Sequence, residues 1–264
     1  MSRISQKFDE LKNKNKKALI TFVTAGDPTL EGTIKLVKEM ESRGADIIEL
    51  GIPYSDPIAE GLVIQAANSR ALSNGIRIKD IMNTVMEIRK NVLVPLVYLL
   101  YFNCILQYGP ERFFSDCSEV GIDGVIIPDL PFEEQDEIMD ISIKYSVDII
   151  SLVAPTSKDR IEKIAKNARG FIYCVSSLGV TGVRKEFNTD FNEFFSNLNR
   201  VTDLPKALGF GISTPEDISK LKGYCDGLII GSAIIKKVEQ SSSIEEAVKS
   251  VGEYVGVLRE AMDQ

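Results

Sequence analysis

Few residues of this chain could do chemistry, and the first is a carboxylate in an apolar setting. Glu49 lies in the run DIIEL (Asp46–Leu50), where strand alternation gives Ile48 and Leu50 one face and Ile47 and Glu49 the other. A charge turned into a protein interior needs a partner or a purpose, because isolated burial is costly. It could be a structural carboxylate accepting backbone amides. The stronger reading is a general acid/base, whose pKa burial would raise into the useful range. Glu60, near the end of the loop GIPYSDPIAEG (Gly51–Gly61), is the obvious second carboxylate, although composition alone also fits a solvated loop charge. The chain has 0 histidines. That excludes Ser-His-Asp and Cys-His nucleophile systems, a histidine general base and His-ligated metals.

Two glycine motifs point to a different chemistry. GFGIS (Gly209–Ser213) and GSAI (Gly231–Ile234) would let backbone approach a ligand closely, and amides at a helix start hold an anion without a basic side chain. Either motif alone is equally a tight turn. Tyr101, Asn103, Asp129 and Tyr173 are further pocket candidates, Tyr173 being equally readable as core. Thr24 and Asp27 read as loop-orienting residues, and Asp56, between Pro53 and Pro57, as a turn former.

Such residues need a frame, and the hydrophobic pattern supplies one. Apolar runs rich in Ile, Val and Leu occur at Ala18–Val23, Asp46–Leu50, Val94–Leu100, Gly124–Pro128, Val147–Val153, Gly170–Val175, Pro205–Phe210 and Asp226–Ile230. They read as eight strands buried on both faces. Between them, Leu30–Gly44, Phe132–Tyr145 and Lys158–Ala168 space apolar residues at three and four, as helices covering a parallel sheet do. A further helix begins near Leu62, and Ser241–Met262 reads as the last, capped one. Strand and helix alternating eight times in 264 residues, with no Pro-, Gly- or Ser-rich linker, predict a single (β/α)₈ TIM barrel over residues 1–264. In that frame Glu49 stands near the C-terminal end of strand 2. The two glycine motifs follow strands 7 and 8, where barrels often bind phosphate, so a phosphorylated substrate is expected. The Gly-, Ser- and Thr-rich loop Ser176–Asp190 after strand 6 reads as a mobile lid.

Lys and Arg total 31 against 38 Asp and Glu, a net charge of −7, so broad capture of nucleic acid or acidic lipid is not expected. The longest apolar run, Val92–Phe102, is too short to span a bilayer and is interrupted by Pro95. The first residues, MSRISQKFDELKNKNKK, lack the apolar segment of a signal peptide. Cys104, Cys117, Cys174 and Cys225 form no C-x-x-C pair and read as buried, reduced thiols of a cytoplasmic protein, with no metal site expected.

The motifs FVTAGDP, ELGIPYSDPIAEG, YFN, IIPDLP, VSSLGVTG, GFGIS and GSAI, in this order and spacing, resemble the tryptophan synthase α subunit over essentially the whole chain. The resemblance implies a cofactor-free barrel that cleaves indole-3-glycerol phosphate to indole and glyceraldehyde 3-phosphate. It implies a partner too: a β subunit, itself the holder of pyridoxal phosphate, in an αββα complex. By the same resemblance Glu49 and Glu60 are the catalytic carboxylates, and Tyr173, Thr181, Tyr101 and Phe210 contact substrate. Gly182, Gly211, Gly231 and Ser232 hold phosphate, Thr181 and Gly182 belong to the closing loop, and Asp56 and Pro57 face the β partner. Two departures stand out: Glu60-Gly61-Leu62 replaces the family's Asp-Gly-Pro, and Asn103-Cys104 its Asn-Pro. The first touches the chemistry. It leaves two functional readings, an active lyase or a weakened α-type subunit acting mainly as an activator of the β subunit. Another phosphate-binding barrel, such as a sugar-phosphate isomerase or epimerase, is disfavoured by ELGIPYSDP.

Overall fold

A computed structural model of the protein describes residues 2–157, 160–175, 190–209 and 211–264. Its strands are β1 (Ala18–Thr24), β2 (Ile47–Gly51), β3 (Leu96–Leu99), β4 (Gly124–Ile126), β5 (Asp148–Ile149), β6 (Ser151–Val153), β7 (Ile172–Val175), β8 (Lys206–Gly209) and β9 (Gly227–Ile230). All pairings are parallel, in the order β5-β4-β3-β2-β1-β9-β8-β7-β6. The two ends of that order, β5 and β6, are consecutive in the chain and joined through Ile150, so the sheet closes on itself as a barrel. The fifth apolar run is thus two short strands rather than one. It pairs with β4 in its first half and with β7 in its second, and Ile150 N–H still donates to Val125 O at 2.9 Å. Runs six to eight are β7, β8 and β9.

Alternation sorts each strand's side chains. Ile20, Ile47, Val97, Ile126, Ile150, Phe171, Ala207 and Ile229 fill the barrel, while Leu19, Ile48, Leu50, Leu96, Val125, Leu208 and Leu228 pack outward under the helices. All seven residues of β1 are buried. The N-terminal segment, read above only as lacking a signal peptide's apolar stretch, forms a helix over Arg3–Asn13 that closes the barrel floor with Ile4, Phe8 and Leu11. Phe8 meets Phe171 at a ring-centroid distance of 5.7 Å. Burying such side chains contributes on the order of 2 kcal/mol each.

The floor is also tied electrostatically. Asp46, Asp123 and Asp226, each one residue before its strand, accept backbone N–H groups of Leu19, Leu96 and Lys206 at 2.9 Å. Arg259 reaches Asp46 at 2.9 Å, and Arg89 reaches Asp123 at 2.6 Å. These contacts fix strand register at the end of the barrel away from the loops after the strands. No described helix is long and apolar enough to cross a membrane.

Candidate active site

The inward-facing residues one layer above the core line a pocket at the C-terminal mouth. Phe22, Glu49, Leu99, Leu152, Tyr173 and Ile229 form its lower wall, around a cavity of about 200 Å³. Glu49 lies between Phe22 and Val97 in strand register and is 1 % exposed. Its Oε1 is buried without a hydrogen-bond partner. Burial alone pushes its pKa from 4.5 up to about 8, so at neutral pH the carboxyl is mostly protonated. It is therefore poised both to give a proton and to take one back.

Glu60 reaches the same pocket from the loop after β2 and is 4 % exposed. Burial raises its pKa, while the Tyr101 hydroxyl, donating to Oε2, pulls it the other way. Two aromatic walls owe their positions to glycines at strand ends. A Cβ on Gly51 would lie 2.6 Å from Cζ of Phe22, and one on Gly209 would lie 2.7 Å from the Tyr173 hydroxyl. Only glycine leaves these rings where they stand.

The opposite rim is backbone. Gly231, Ser232 and Ala233 line the pocket at the start of the helix Ser232–Glu239, where the Ser232 and Ala233 amides precede the first intrahelical donor, Ile234 N–H to Gly231 O at 2.9 Å. Gly211 joins them with φ +83°, a left-handed conformation that disfavours any side chain. In the neighbouring turn, Ser213 and Thr214 N–H are both taken by Asp217 Oδ2 at 3.0 Å, which closes the helix Pro215–Leu221 with a capping box. An anion at this rim is therefore left to Gly211 and to the start of Ser232–Glu239. The pocket thus combines two carboxylates, apolar walls and a rim of backbone at a helix start.

Residues 8–263 match the family model described as tryptophan synthase alpha chain. The chain is 52 % identical over 262 residues to the tryptophan synthase alpha chain of Caldanaerobacter subterraneus, covering 99 % of this chain and 100 % of that one. It is 51 % identical over 263 residues to that of Clostridium kluyveri, with both chains fully covered. The chain belongs to the tryptophan synthase alpha chain family. Among solved structures, the alpha chain from Legionella pneumophila superposes with a TM-score of 0.88 at 35 % identity, covering 100 % of this chain and 98 % of that one. Mycobacterium tuberculosis tryptophan synthase gives a TM-score of 0.91 at 30 % identity, covering 100 % and 99 %.

The tryptophan synthase alpha chain motifs distribute as follows. Glu49, Glu60, Tyr173, Gly211, Gly231 and Ser232 converge on the one pocket. Tyr101 does not line it; its hydroxyl stands behind Glu60. Asp129 accepts Phe102 N–H at 2.9 Å and so fixes the start of the helix Phe102–Tyr108. Asp27 is held by Arg70 through two bonds of 2.8 Å, as a loop-orienting residue should be. Asp56 is exposed, Pro57 is half-buried, and the adjoining Ile58 is 71 % exposed. Thr181, Gly182, Phe210 and residues 176–189 of the expected lid lie outside the described residues; Asp190 caps the helix Phe191–Val201. Phe22, Leu99, Leu152 and Ile229 escaped the sequence reading. Their signal was parity, since each shares the inward face of its strand with a core residue.

Proposed function

We propose that the chain cleaves indole-3-glycerol phosphate to indole and glyceraldehyde 3-phosphate, the α reaction of tryptophan biosynthesis, as a carbon–carbon lyase. One observation carries the reading: a buried Glu49 carboxyl with an unpartnered oxygen, on the wall of a pocket whose other rim is glycine backbone at a helix start. In this reading the cradle of Gly211, Gly231 and Ser232, together with Gly182, holds the phosphate and the indole ring lies among Phe22, Leu99, Leu152 and Tyr173. Protonated Glu49 gives its proton to ring carbon 3. The positive character that develops at the ring nitrogen is met by the Glu60 carboxylate, which accepts from the N–H. Glu49, now a carboxylate, takes the proton of the adjacent glycerol hydroxyl. The bond between ring and glycerol carbon breaks, its electron pair restores the indole, and the hydroxyl carbon becomes the aldehyde. Remote phosphate binding holds the substrate so that these contacts form in the transition state.

The same reading takes the exposed edge Asp56–Pro57–Ile58 as part of the contact with a β subunit in an αββα complex. Pyridoxal phosphate belongs to that partner, this chain needs no cofactor of its own, and the pair works in the cytoplasm. The test is indole release from indole-3-glycerol phosphate by the purified chain, with and without β subunit. Turnover by the chain alone, increased by the partner, is the expected outcome. Release only at background rate in both would leave the activator reading in its place.

A further inference from the structure

Glu60 is one methylene longer than the aspartate of the family motif, so something must hold its carboxylate. Tyr101, at the start of the helix Phe102–Tyr108 after β3, is 3 % exposed and donates its hydroxyl to Glu60 Oε2. The same phenolic oxygen accepts the backbone N–H groups of Ile58 and Ala59, each at 2.9 Å. A single oxygen thus ties the glutamate and the two residues before it. The Tyr101 ring is itself clamped by Tyr54, stacked at 4.7 Å with 24° between planes. Both aromatic partners come from outside the pocket lining.

The geometry points to Tyr101 as a positioning residue: it fixes the loop 58–60 and aims the longer Glu60 carboxylate into the pocket, without itself touching substrate. The inference rests on the lyase reading for what Glu60 does, but not for how it is held. The hydrogen bond also favours the ionised carboxylate. It opposes burial and the like charge of Asp129 from the loop after β4, while Tyr173 on β7 and Glu49 on β2 are the other titratable groups facing the same pocket.

Tyr101→Phe keeps the ring and removes the donor. The titration of Glu60, followed by carboxyl ¹³C NMR and assigned with Glu60→Gln, should move to higher pH. Incorporating 3-fluorotyrosine at position 101, a stronger donor of nearly the same shape, should move it lower. Neither measurement needs turnover, so absence of lyase activity in the parent would count against the functional reading alone. In kinetics, Tyr101→Phe should lower kcat by roughly tenfold with KM nearly unchanged, the cost of one misplaced contact. In a Glu60→Gln background it should cost little more. An unmoved Glu60 titration in both variants, or an undiminished loss from Tyr101→Phe when Glu60 is Gln, would overturn the assignment. If Tyr101→Phe does not fold, the direction of the fluorotyrosine shift decides.

Discussion

Two floor carboxylates, Asp46 and Asp123, and one at the mouth, Glu49, are largely shielded from water but treated in opposite ways. At the floor, Asp46 and Asp123 are buried enough for desolvation to raise their pKa, but Arg259 and Arg89 and the backbone donors oppose the rise. Even Asp148, whose Oδ2 lacks a partner, keeps Oδ1 on Arg169 at 3.1 Å. At the mouth, nothing offsets the burial of Glu49, which stands at about 8. The floor spends its carboxylates on strand register, whereas the mouth leaves one unsatisfied and available to a substrate. A buried carboxylate held by a cation reads as architecture; one with an unpartnered oxygen at a pocket reads as chemistry.

The largest expected effect tests that reading directly. Glu49→Gln preserves shape and removes the titratable proton, so the rate of indole release should fall roughly 10²-fold or more. Stability should move the other way. Because the folded pKa of about 8 lies above the ordinary 4.5, the native state binds the extra proton between those values. The stability of the parent should therefore fall as pH rises from about 4.5 to about 8 and level off above it, by an amount on the order of a few kcal/mol. Glu49→Gln should flatten that slope in denaturant titrations. An unchanged slope together with normal turnover would remove Glu49 from both roles.

The matching change at the floor should do the converse. Asp123→Ala strips the carboxylate partner from Arg89, whose side chain is 13 % exposed and is left with backbone carbonyls, and leaves Leu96 N–H without its acceptor. A loss of about 3 kcal/mol is expected, or a fall in Tm of roughly 6–10 °C for a chain of this size. At temperatures where the variant is folded, kcat and KM should stay within about twofold of the parent. A hundredfold kinetic defect in the folded variant would mean that the two ends are coupled rather than separate.

What was legible in the sequence follows the same division. Barrel strands alternate and are buried on both faces, so all eight apolar runs and the inward face of Glu49 could be read from Ile, Val and Leu spacing alone. The backbone rim of the pocket at Gly211 and Gly231 was legible because glycine is the residue that lets backbone approach closely. The floor was not. The helix Arg3–Asn13 shows only Ile4, Phe8 and Leu11 among polar residues, a single narrow stripe that composition hides. The split at Ile150 was equally hidden, because a change of strand partner leaves no mark on hydrophobicity. The placement of Tyr101 behind Glu60 depends on a contact between two loops 41 residues apart, which no local pattern encodes.

A smaller effect is expected where backbone shapes the wall. A Cβ at Gly51 would sit 2.6 and 2.8 Å from the Phe22 ring, so Gly51→Ala must push that ring into the pocket or aside. Such overpacking costs about 1–3 kcal/mol, and kcat/KM should drop roughly tenfold. The control lies near the floor: a Cβ at Gly124 would lie 3.0 Å from Asp148 O and 3.1 Å from Ile4. Gly124→Ala should lower Tm and leave kcat/KM of the folded protein alone. Steady-state kinetics and thermal unfolding of both variants separate the two outcomes, and a kinetic defect in Gly124→Ala would blur the division between the ends.

The smallest effect should come from Ser232→Ala. Ser232 lines the pocket at the first position of the helix Ser232–Glu239, beside Gly231. If the anion is held by the amides of that first turn, removing the hydroxyl deletes one hydrogen bond and leaves the others, with the helix dipole intact. One net hydrogen bond is worth about 1 kcal/mol, so KM should rise about fivefold with kcat nearly constant. Inorganic phosphate, as a competitive inhibitor, should weaken by the same factor, since the hydroxyl would serve the phosphate and not the ring. A hundredfold rise in KM would place the anion on a side chain rather than on the backbone. The mouth would then bind phosphate as the floor binds its strands, through a partner chosen by the side chain.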